Sequence, residues 1–76
     1  MDRDEHLALV KTRALTELDA DHQGQGRQNA LRSVITGLGE HPDTASHAGV
    51  RAAGVFLLSP LIITAREVRQ FIEHLR

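Results

Sequence analysis

Thr64-Ala65-Arg66-Glu67-Val68-Arg69-Gln70-Phe71-Ile72-Glu73-His74-Leu75 is the stretch that decides the fold. Thr64 followed three residues later by Glu67 is a capping box, in which a hydroxyl accepts from a free backbone N–H at a helix start. Behind it, Ala65, Val68, Phe71, Ile72 and Leu75 recur at spacings of three and four. That period is helical and cannot serve a strand, whose side chains alternate. The stretch therefore predicts a C-terminal helix with one apolar stripe.

Working back from Thr64, Leu61-Ile62-Ile63 is an apolar connector, and Ser59-Pro60 marks a break because the residue before proline is pushed out of the α region. Upstream, Asp43 or Thr44 is expected to cap a third helix reaching Leu58. Its first half is small (Ala45, Ala48, Gly49, Ala52, Ala53, Gly54) and its second half bulky (Val55 to Leu58). A helix apolar on nearly every side is expected at the centre. Ala30, Leu31, Val34, Ile35 and Leu38 form the stripe of a second helix, Arg27 to Leu38. Gly39 stands where a left-handed C-cap would fall, and Pro42 prevents continuation. Asp21 to Gly26 reads as a loop. Asp2 and Glu5 make another capping-box spacing ahead of a first helix, Asp4 to Asp19, with Leu7, Val10, Ala14 and Leu18 on one side and Leu15 beside them. The expectation is an all-α, compact four-helix domain of two helical hairpins, a single helical domain over residues 1–76.

Composition sets limits on function. The chain has 76 residues, 41% of them hydrophobic, enough to bury a core. Nine Lys and Arg against ten Asp and Glu give a net charge of −1, so charge alone argues against nucleic acid as a partner. The absence of Cys removes disulfides, thiolate zinc sites and a Cys nucleophile. The start, Met1-Asp2-Arg3-Asp4-Glu5-His6, lacks the basic and apolar segments of a signal peptide. The longest apolar run, Val55 to Ile63, is broken at Ser59-Pro60 and falls far short of the ~20 residues that span a bilayer. A cytoplasmic protein that does not enter the membrane is expected.

Two resemblances add to this reading. Ala30, Val34, Gly37 and Pro42 match in order and spacing the second helix of a tetratricopeptide-type hairpin, whose small residues allow close helix crossing. One such repeat cannot build a solenoid. The segments His41 to Val50 and Thr64 to Glu73, with Ala14 to Ala20, resemble small uncharacterised proteins encoded by tailed bacteriophages. These are packing and capping motifs, so the resemblance implies a phage accessory protein acting in the host cell and transfers no catalytic residue.

Candidate chemistry is sparse. Five histidines invite a metal site, but no pair stands at i, i+4, and His22 and His41 fall near helix C-termini, where a cation is favoured. No metal or other cofactor is expected. No Gly-x-Ser-x-Gly elbow occurs, Gly24-Gln25-Gly26 lacks the rest of a phosphate loop, and a chain this small is expected to lack a deep pocket. An enzyme is therefore not expected. Arg51, Arg66 and Arg69 are the candidate contacts for the alternative reading, a small nucleic-acid-binding regulator. Glu67 and Glu73 stand beside them, and no Trp or Tyr is present for base stacking. Protein–protein interaction is the leading function. The segment Val55 to Ile63 has more bulky apolar residues than a core of this size needs, unless the connector folds over to close that core. Ala53, Phe56, Leu57, Leu61 and Ile63 are the candidate interface, for a protein partner or a second copy in a homo-oligomer.

Overall fold

Side-chain caps open two helices where the sequence places them. The Asp2 Oδ1 accepts from the Glu5 N–H at 2.7 Å and starts α1, Arg3–Ala20. The Thr64 hydroxyl oxygen accepts from the Glu67 N–H at 3.2 Å and starts α4, Ala65–Glu73. Between them lie α2, Gly26–Gly39, and α3, Ala48–Leu58. The computed structural model describes residues 2–20, 25–58 and 64–76, and no strand occurs among them. Those residues form four helices, and the fold is all-α. Its radius of gyration is 11.4 Å, close to the value of about 11 Å expected for a packed chain of this length.

The expected stripes of α1 and α2 form the core. Leu7, Val10, Ala14 and Leu18 of α1 face Ala30, Leu31, Val34 and Leu38 of α2, all buried. Gly37 explains how close the crossing is: a Cβ there would lie 2.8 Å from Val10 Cγ2. From α4, Val68 and Ile72 complete the core, with Leu75 just beyond the helix end. Ala65 is exposed and Phe71 only half-buried, so the working stripe of α4 is narrower than its spacing suggests.

Helix order in space departs from expectation. The central helix is α2, which packs against α1, α3 and α4. The most apolar helix, α3, is peripheral: its backbone approaches α2 alone, and only Gly49 and Ala53 are buried. Size explains this. The small residues of α3 let it lie close on α2, and close approach leaves its bulky residues around the sides. The second hairpin is correspondingly loose. The α3 and α4 helices meet through side chains, with the Phe56 and Phe71 rings edge to face, centroids 5.1 Å apart. Leu75 lies against Gly49, where a Cβ would stand 2.8 Å from Leu75 Cδ2.

The junction between α2 and α3 also differs. Thr44 does not cap α3. It is fully buried, and its hydroxyl donates to the Leu38 carbonyl at 2.7 Å, closing the end of α2. Gly39 is the last residue of α2 rather than a left-handed cap, and Glu40 after it is right-handed at φ −76°. With Thr44 serving a terminal carbonyl and Glu40 N–H reaching Gly37 O, no left-handed turn is needed. Consecutive turns over residues 41–46 then delay α3 to Ala48, so the expected cap at Asp43 or Thr44 is four or three residues ahead of the position before the helix, His47. The expected connector, Leu61 to Ile63, and most of the Asp21 to Gly26 loop lie outside the described residues.

Candidate interaction surface

The N-terminus of α3 is held by a histidine. His47 Nδ1 accepts from the Gly49 N–H at 2.8 Å, two residues into the helix, which is the N-cap bond usually made by Ser, Thr, Asp or Asn. A bare Nδ1 places the ring proton on Nε2, which donates to the Arg76 carbonyl. One imidazole therefore joins the start of α3 to the end of the chain. His41 Nδ1 similarly accepts from the Asp43 N–H at 3.0 Å. His41 thereby holds the turn that follows the end of α2. His6, buried, donates through Nε2 to the Gly37 carbonyl at 2.6 Å, with its ring 5.1 Å from that of His41. These histidines organise backbone. Among the described residues, no group of three or more His, Asp or Glu is placed to hold a metal ion.

From this capped start, α3 turns one flank to solvent. Seen along the helix, Gly49 and Ala53 face α2, whereas Arg51, Val55 and Leu58 follow one another at i, i+4 and i+7 on the far side. Val55 is 55% exposed and Leu58 86%, the exposed large hydrophobic residues of the described chain. A groove of about 580 Å³ runs along this flank. Its apolar wall is formed by Ala48, Ala52, Val55 and Phe56, and its polar rim by Ser46, His47 and Arg51. The volume falls within the range of small-molecule sites, contrary to the expectation that so short a chain lacks the room. The groove is nevertheless open along its length rather than enclosed.

The expected interface residues divide. Ala53 is fully buried on the side of α3 that faces α2 and offers no surface. Phe56 is half-buried at the groove wall, and Leu57 is half-buried against the core. Leu61 and Ile63 lie outside the described residues. Val55, Leu58 and Arg51 carry the exposed face instead. Their i, i+4, i+7 spacing is present in the sequence, but the inward side of α3 had to be known before the outward one could be named.

The three arginines of the nucleic-acid reading are not gathered for one task. Arg69 pairs with Asp19, tying α4 to the end of α1. Arg51 lines the groove, and Arg66 is exposed in the first turn of α4. Among the described residues no helix is long and apolar enough to cross a membrane. No protein-family model matches the chain, and no curated protein or solved structure shows significant similarity to it.

Proposed function

We propose that the protein is a non-enzymatic accessory protein that works by binding another protein through the outer flank of α3. One observation carries this reading: a helix held on the body by Gly49 and Ala53 leaves Val55 and Leu58 to solvent beside an open groove. Contiguous exposed apolar surface of this kind is a common mark of a docking site, because leaving it in water costs free energy that an interface recovers. The likeness of His41 to Val50 and of Thr64 to Glu73 to small tailed-phage proteins supports a phage setting, with a host or defence component as the class of partner.

The alternative, a nucleic-acid-binding regulator, is favoured by Arg51 and Arg66, both exposed. It is opposed by the pairing of Arg69 with Asp19 and by the net charge of −1. Affinity capture from bacterial lysate, run with the parent and with Val55→Asp/Leu58→Asp, tests the first reading. A partner retained by the parent and lost by the variant is expected. Tight, steeply salt-dependent retardation of DNA by the parent would overturn it in favour of the alternative.

A further inference from the structure

We propose that the α3 groove docks an amphipathic segment of a partner protein that carries both apolar side chains and a carboxylate, the carboxylate meeting Arg51. The inference rests on the protein-binding reading above and specifies the chemistry of the partner.

Charge complementarity is the argument. Among the described lining residues Arg51 is the one with a formal charge, and it is set in a wall otherwise made of Ala48, Ala52, Val55 and Phe56. Among the described residues no acidic side chain lines the groove with it, and α3 contains none. A partner that covered this wall with apolar groups alone would strip water from a guanidinium and return nothing, which is costly for a buried charge. A carboxylate restores the lost hydration with two parallel N–H···O bonds, the geometry for which a guanidinium is shaped. The polar rim at Ser46 and His47 leaves the apolar wall and the cation as the distinguishing features.

Size and charge together disfavour a second copy as the occupant. An α3 face laid on its twofold mate brings another Arg51 and no acid. A helix of 11 residues is about 16 Å long, and one flank of it falls well below the ~800 Å² per partner of a stable protein–protein interface. A single helical or extended segment fits that length.

The test selects displayed random peptides on the immobilised full-length chain and then measures the enriched sequences, as labelled synthetic peptides, by fluorescence anisotropy. Enrichment of Asp or Glu together with Leu, Ile or Phe is expected. Replacing the peptide carboxylate by its amide should weaken binding about tenfold. Arg51→Gln should weaken the acidic peptide by a similar factor and leave the amide peptide unaffected, so that the two losses do not add. Val55→Asp should abolish binding of both peptides, with circular dichroism showing all variants helical. Apolar peptides without acid, bound equally by Arg51→Gln but lost on Val55→Asp, would overturn the carboxylate while leaving the protein-binding reading intact. Failure to enrich any peptide, or binding indifferent to Val55→Asp, would overturn both. A parent that sediments as a dimer, and a Val55→Asp variant that does not, would identify the occupant as a second copy and overturn the proposal.

Discussion

The α1–α2 pair and α3 use apolar residues in opposite ways. In α1 and α2 the apolar side chains are a smaller share of the helix but aligned, and the aligned rows, Leu7, Val10, Ala14 and Leu18 on one and Ala30, Leu31, Val34 and Leu38 on the other, are buried. In α3 almost every residue is apolar, yet burial falls on Gly49 and Ala53, and the larger side chains stand half-buried or exposed. Alignment along one side, rather than total apolar content, determines what a helix contributes to the core. The content left over on α3 belongs to its surface.

The largest test of that contrast sets Leu38 against Leu58. Leu38 is completely buried between helices, and Leu38→Ala should cost about 2–5 kcal/mol. Against the ~4–11 kcal/mol total typical of a chain this long, that change brings the protein close to unfolding. Leu58→Ala should stay within about 0.5 kcal/mol of the parent, as exposed substitutions do. Denaturant melts that found similar costs at the two leucines would contradict the division between core helix and surface helix.

Close packing of α1 on α2 can be broken from within. Gly37→Ala drives a methyl against Val10, whose branched side chain has few rotamers to escape into, and should cost about 1–3 kcal/mol. Thermal unfolding with an unchanged midpoint would show the crossing to be looser than drawn.

The junction is tested by Thr44→Val, which keeps the shape and removes the hydroxyl. The Leu38 carbonyl then loses a buried donor, and a cost of about 1–3 kcal/mol is expected. Because Thr44 closes α2 instead of opening α3, the helical content of α3 should survive. NMR chemical shifts showing residues 48–58 uncoiled while α2 is unaffected would reverse that assignment.

The smallest effect sharpens the contrast by having the opposite sign. Gly54 sits inside α3 with nothing within 4 Å of its missing Cβ. Gly54→Ala should therefore stabilise the protein by about 0.5–1 kcal/mol, through helix propensity alone. A destabilising result would mean that something covers this side of α3.

What was readable in advance follows the same physical division. Local features were legible: the caps at Asp2 and Thr64 and the rows Leu7-Val10-Ala14-Leu18 and Ala30-Val34-Leu38 depend on residues a few positions apart. His6 was missed although it heads an i+4 row with Val10, Ala14 and Leu18, because an apolar stripe is sought without histidine in it. Long-range features were not legible. Nothing near Thr44 in sequence shows that its hydroxyl turns back to Leu38, and His47 is no common cap. The candidate site was half legible. Its neighbourhood, the end of α3 from Val55 onward, stands out by apolar excess, whereas its outward residues depend on which side Gly49 and Ala53 lay against α2.

The central place of α2 also has a consequence in time. Every other helix rests on α2, so its amide hydrogens can meet solvent only when the whole molecule opens. The α3 amides answer to a smaller event. Lifting α3 exposes Gly49 and Ala53 and breaks its backbone packing on α2 and its side-chain contact with Phe71, leaving Val10 against Gly37 in place. Native-state hydrogen exchange should accordingly resolve two rates, with residues 48–58 exchanging ahead of residues 30–38. The helix proposed to meet a partner is then also the one the molecule can release without losing its fold.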